Sequence, residues 1–288
     1  MKAIFKKEIM SYFNSMLGYI FAAFLICAVG IYFMAMNIFN GYPNFSYALY
    51  NSLFVLMIAV PILTMRSMAE ERHNQTDRLL FSSPLALWQI VFGKYLAMLA
   101  VFAVPVAVFC LFPLIIKMNG TAYLLSDYIA ILLFFLLGAV YIAIGTFISS
   151  LTESQLISAV LTFAALLVLN LWNNLTAFLP SSALGSCLGF AVIILLIGGI
   201  IKYFTQNKAF SLLICGILLA VDIACFIIFN QSFAGLLPTI LNYFSPAECF
   251  YNAALYSTLD LKGVLLYLSL IFLFLFITAQ TMQKRRLS

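Results

Sequence analysis

Few side chains in this 288-residue sequence can do chemistry, and their spacing excludes most kinds of it. His73 is the single histidine, so neither a multi-histidine metal centre nor a pair of imidazole acids and bases can form within the chain. Six cysteines stand at 27, 110, 187, 215, 225 and 249, none in C-x-x-C spacing. Five of them fall in apolar runs, where a thiol behaves as a small hydrophobe. No G-x-x-x-x-G-K-[ST] phosphate loop occurs, so ATP is not bound by that mechanism. No paired carboxylates, metal cluster or activated serine share one face of an apolar run, which argues against a membrane-embedded enzyme. Two features remain. One is the charged series Glu70, Glu71, Arg72, Asp77 and Arg78; the other is Asp222, a lone acid about midway along an apolar run.

The elements that must position these residues follow from composition. The chain is 65% hydrophobic and 8% charged, with a mean hydropathy of +1.13. A soluble domain carries about a quarter charged residues, so most of this chain has lipid as its solvent. Such a composition also excludes disorder. A span needs about 20 apolar residues to cross about 30 Å of hydrocarbon. Eight stretches qualify, at 17–39, 48–65, 95–116, 128–148, 156–172, 183–201, 210–229 and 263–282. They lack the polar alternation of barrel strands, so all are expected to be helices that satisfy their own backbone. The fold class expected is therefore all-α, a polytopic membrane protein of about eight helices forming a single domain over 1–288.

The first run follows Lys2, Lys6 and Lys7 as a signal peptide would, but its apolar stretch is too long and no A-x-A site closes it, so it reads as an uncleaved anchor. An even number of spans puts both termini on one side. Placing them in the cytoplasm collects 12 of the 14 basic residues inside, leaving Lys117 and Lys262 outside. Residues 1–16 set Ile4, Phe5, Ile9, Tyr12, Phe13 and Met16 at roughly helical spacing beside the lysines, as in an amphipathic helix lying in the interface. Residues 66–94 form the longest inner loop and hold seven charged residues. Residues 230–262 form the longest outer segment, too apolar to wave in water, and are expected to fold back on the membrane.

Within the inner loop, the acids and bases from Glu70 to Arg78, then Leu79 and Leu80, then Ser83-Pro84, predict one short amphipathic helix joined to a turn. From composition, that helix is either a solvated connector with its own ion pairs or a docking surface. Asp222 has no basic residue in any expected span to pair with, so it faces a wet cavity, makes a packing hydrogen bond, or marks a misplaced boundary. Pro61, Pro105 and Pro113 predict kinks in the second and third spans. Small residues at Gly138, Ala139, Ala143, Gly145 and Ser149, and the pair Gly185 and Gly189, permit close helix contact.

The succession AIFKKEIMSYF, RSMAEERHNQTDRLLFSSPLALWQIVFGKYLA, AIGTFISSLTESQLISAVLTF and a last span ending in QKRR resembles the permease subunits of type-2 ATP-binding-cassette exporters, the gliding-motility-type branch in particular. The likeness covers the first five spans and the last. It implies a six-span core, so 183–229 would be an added hairpin. It also implies a half-transporter. A second permease copy, identical or related, would complete the pathway, and a separate ABC ATPase subunit would bind the ATP, leaving this chain with no cofactor and no enzymatic role. The resemblance makes 1–16 an elbow helix, 66–94 the coupling loop with Glu70, Glu71, Arg72, Asp77 and Arg78 near the ATPase, 149–155 the second inner loop, and 230–262 an outer re-entrant segment. The expected setting is the bacterial cytoplasmic membrane, with the bilayer as a partner and no nucleic acid. The competing reading is a secondary transporter using Asp222, although no internal repeat supports it.

Overall fold

The computed structural model describes residues 2–76, 86–180, 182–205, 216, 218–219, 222, 235–243, 245–256 and 261–287. Among these the chain is helical, with no strand. It divides into two compact units, one of residues 1–169 with 249–288 and one of 170–248.

In the first unit α1 (Lys2–Asn14) turns into α2 (Leu17–Phe33) through Met16, whose φ of 60° lies in the left-handed region. The last turns of the first span are a π-helix, Met34–Phe39. Asn37 Nδ2 donates to the carbonyls of Tyr42 and Asn44 at 2.8 and 3.0 Å, which closes the corner that follows. The chain returns through α3 (Ser46–Asn51) and α4 (Leu53–Thr64), so the expected second span is broken at Ser52. Then come α5 (Ala69–His73), α6 (Leu87–Phe109), α7 (Phe112–Asn119), α8 (Leu124–Leu151) and α9 (Gln155–Asn170). The third span also breaks, between Phe109 and Phe112. Pro113 consequently opens α7, whereas Pro61 and Pro105 sit inside α4 and α6 as expected.

Among the described residues, five helical stretches are long and apolar enough to cross a membrane: Leu17–Phe39, Leu53–His73, Leu87–Met118, Leu124–Leu151 and Leu261–Lys284. The last belongs to α14 (Leu261–Leu287). At 16 residues, α9 is shorter than a full span. Helix α8 is the hub: 72% of its apolar window is buried, against 22% for α14 and 28% for the first span. It packs on α14, α4 and α6. Glycine makes those approaches possible, because a Cβ on Gly138 would strike the Phe102 ring of α6 and one on Gly145 would strike Thr64 of α4. Trp88 stacks near Phe272 and Phe276, which sets the C-terminal half of α14 beside the start of α6. Both chain termini thus lie at the same end of this unit.

At the opposite end, Asp127 is fully buried in the first turn of α8, and its Oδ1 accepts the N–H groups of Phe45 (2.8 Å) and Ser46 (3.3 Å) at the start of α3. Asp127→Ala strands both donors at about 1–3 kcal/mol each. Asp127→Asn keeps an acceptor oxygen there, so thermal unfolding in detergent should fall clearly for alanine and far less for asparagine.

In the second unit α10 (Trp172–Ala177), α11 (Ala183–Thr205) and α12 (Leu236–Tyr243) pack together. Trp172 Nε1 donates to Leu241 O at 2.8 Å, and a Cβ on Gly189 would meet the Leu237 side chain. The expected partner run of the added hairpin, 210–229, lies outside the described residues except for a few positions that include Asp222. The 230–262 segment holds α12 and α13 (Pro246–Tyr256) as two short helices among its described residues.

Candidate functional site

The described charged residues of the 66–94 segment gather at the end of the first unit where α1 and the last turns of α14 lie. Helix α5 has five residues, too few to persist unaided, and the bundle supplies what it lacks. Ser149, in the last turn of α8, accepts the N–H groups of Met68 and Ala69 through Oγ, both at 3.1 Å, and donates to Met65 O at 3.4 Å. A side chain 81 residues away in sequence therefore satisfies the orphan donors at the start of α5. At its other end the N–H of Gln75 bonds Arg72 O and that of Thr76 bonds Glu71 O, with Gln75 left-handed at φ 55°. This double bond is the Schellman closure of a helix C-terminus. Helix α5 therefore stops at His73 and does not run on to Arg78 as the charge pattern predicts. Asp77, Arg78 and the Ser83-Pro84 turn lie outside the described residues.

Ion pairs fix α5 sideways. Arg66 forks onto Glu70 at 2.6 and 2.7 Å, an i,i+4 pair that is part-exposed. Arg72 reaches Glu153 at 2.5 Å and Leu151 O at 3.1 Å, tying α5 to the short connection after α8. Glu71 turns inward to Lys94 Nζ at 2.8 Å. Lys94 stands two turns inside α6 with its side chain 2% exposed, and its ammonium also donates to Ser67 O at 2.7 Å and Glu8 Oε1 at 3.1 Å. Three acceptors thus match its three donors.

Helix α1 is clamped to the same place. Ile4, Glu8 and Tyr12 follow an i,i+4,i+8 line facing α6, and Tyr12 donates its hydroxyl to Leu63 O, at the end of α4, at 3.1 Å. Burial, with Glu8 adding to it, pushes the Tyr12 phenol well above its ordinary value, so it stays a donor. The apolar face expected to lie in the interface is accordingly divided: Ile4 and Tyr12 are buried in protein, whereas Met16 is 69% exposed. A cavity of about 370 Å³ separates α1 from the 66–76 segment, lined by Lys7, Ser11, Asn74 and Thr76 among the paired charges.

The structure sorts the predicted site residues. Glu70 and Arg72 stay near the surface, Glu71 is an internal partner, and the edge left open is His73 to Thr76 together with Glu153. Lys94, Glu8, Ser149 and Glu153 went unrecognised as members of one site. The elements GKY and SSLTESQ carry three of them, so a signal was present, but no spacing rule joins residues so far apart. Asp222 is buried in the second unit, with Oδ2 accepting the Cys187 thiol of α11 at 3.5 Å.

A chain that is helical and without strands among its described residues, five stretches of which are able to cross a bilayer, is a multi-pass membrane protein. Residues 5–171, more than half of its length, match the family described as ABC-2 family transporter protein. The chain belongs to that family and is a membrane component of an ABC transporter. No curated protein matches it.

Proposed function

We propose that this chain is the permease half of an ABC exporter in the bacterial cytoplasmic membrane, completing its pathway with a second permease chain and driven by a separate ATPase. The docking element is α5 with its open edge at His73 to Thr76 and Glu153, and it faces the cytoplasm with both termini. One observation carries this reading: α5 is held by Ser149 of α8, by Lys94 of α6 and by Glu153 beyond α8. A segment gripped by the hub of the bundle transmits a push, whereas a free loop absorbs it. ATP binding by the partner would then shift the permease between conformations through differential contact with α5. The excess of basic residues at the ends assigned to the cytoplasm supports the orientation.

The test has two parts. The chain should co-purify with an ABC ATPase subunit and should not turn over ATP alone. In a cysteine-free background, Thr121→Cys should react with an impermeant thiol reagent added to intact cells, whereas Asn74→Cys should not. ATP turnover by the isolated chain, or labelling at position 74 from outside, overturns the proposal.

A further inference from the structure

We infer that Lys94 is a positioning residue that locks α1 and α5 to α6, so that these three elements move as one body when α5 is displaced. The inference rests on the reading of α5 as the ATPase contact. Three observations carry it. Lys94 is almost wholly buried, and each acceptor of its ammonium belongs to a segment that, among the described residues, no other ion pair joins to α6: Glu8 from α1, Glu71 from α5 and Ser67 just before it. Removing the Lys94 charge leaves two carboxylates and a carbonyl facing one another with no donor between them, so the elements hold together through this one ammonium. Tyr12 adds a second bond between α1 and the end of α4, one turn beyond Glu8 on the same face, so α1 cannot pivot about the Glu8 contact alone. Motion of α5 therefore reaches the amphipathic helix α1 without passing through the apolar core. The same contact gives a physical reason for the Glu-Glu-Arg and Gly-Lys-Tyr elements of the sequence, since Glu71 and Lys94 are partners.

The test uses the full complex with its ATPase in lipid nanodiscs. Spin labels at Met10 on α1 and His73 on α5, both exposed, report the distance between the two helices by pulsed electron paramagnetic resonance. A second pair at His73 and Thr121 reports motion of α5 against the opposite end. In the wild type the first distance distribution should be the same without nucleotide and with trapped ATP, while the second shifts. Glu8→Gln, which weakens only the α1 side, should broaden the first distribution, and Lys94→Met should broaden it further and abolish the permease's effect on ATP hydrolysis. Lys94→Arg, which keeps the charge and several donors, should give a narrower distribution than Lys94→Met, which a role in packing alone would not predict. A wild-type complex in which the Met10–His73 distribution changes between states overturns the lock even if no variant folds. A variant distribution identical to that of the wild type overturns it as well. Failure of the wild-type chain to engage an ATPase, read separately by co-purification, instead sinks the docking reading and leaves the lock without a role.

Discussion

Reversing Glu71 to lysine should abolish recovery of folded chain, whereas reversing Glu70, its neighbour, should leave the chain intact. Glu71 is 16% exposed and 2.8 Å from a lysine that is 2% exposed. Glu71→Lys sets two ammonium groups together at the edge of the cavity that both line and takes away the partner of a lysine that is 2% exposed, and breaking a buried pair costs about 3–5 kcal/mol before any repulsion is added. That is a large share of the 5–15 kcal/mol by which a protein is stable. Glu8 remains as a counter-charge, so Glu71→Gln should fall between the wild type and the reversal. Glu70 pairs with Arg66 at a site where both side chains keep a quarter or more of their exposure, and such pairs contribute about 0–1 kcal/mol. Monodispersity and thermal unfolding in detergent separate the two variants. An equally mild outcome for both would mean that Glu71 faces outward.

The second large effect is expected at Gly145. A Cβ there would lie 2.8 Å from Thr64 Cβ and Cγ2, closer than side chains approach, and Thr64 is fully buried on α4. Gly145→Val must therefore part α4 from α8, at about 3 kcal/mol, the upper end of the range for overpacking. Ser149 lies one turn further along α8, so the same displacement draws its hydroxyl away from Met68 and Ala69, and α5 loosens. The expected result is a lowered unfolding temperature together with loss of ATPase association. Gly145→Ala should be milder, and partly relieved by Thr64→Ala, which removes two of the three clashing atoms but leaves Thr64 Cβ in place. Gly30→Ala is the control, because a Cβ at Gly30 meets nothing within 4 Å. If both glycines tolerate alanine and valine equally, the close contact is not real.

Apolar length located the first, fourth and last membrane helices, because a run that must hide its backbone in lipid announces itself by composition. What it could not show was where a helix changes direction. The break between Phe109 and Phe112 falls in a run as apolar as its surroundings, and the one at Ser52 is marked only by the pair Asn51-Ser52 inside an otherwise apolar run. Hydropathy also misplaced two starts. Helix α6 begins at Leu87, eight residues before the apolar run opens at Tyr95, so Lys94 was read as a loop residue when it lies inside a helix. Helix α8 begins at Leu124, so Asp127 was left out of the fourth span although it caps α3 from within. The end of α5 was hidden for another reason. Its closing position takes a left-handed conformation at Gln75, and without glycine or asparagine there the sequence carries no stop signal. The charged loop itself was plain to see, but which acid turns inward depends on partners from α1 and α6 that no local pattern names.

The hydroxyl of Ser149 also bears on how the chain comes into being. During synthesis the residues of α5 leave the ribosome about 80 positions ahead of the group that caps them, and two membrane helices are made in the interval. Until Ser149 arrives, the N–H groups of Met68 and Ala69 have only water, and five residues do not hold a helix against it. If α5 is the docking element proposed above, a nascent chain shorter than the fourth membrane helix offers an ATPase nothing shaped to grip. Completion of that helix and creation of the docking element would then be one event, so that an unfinished permease could not recruit its motor.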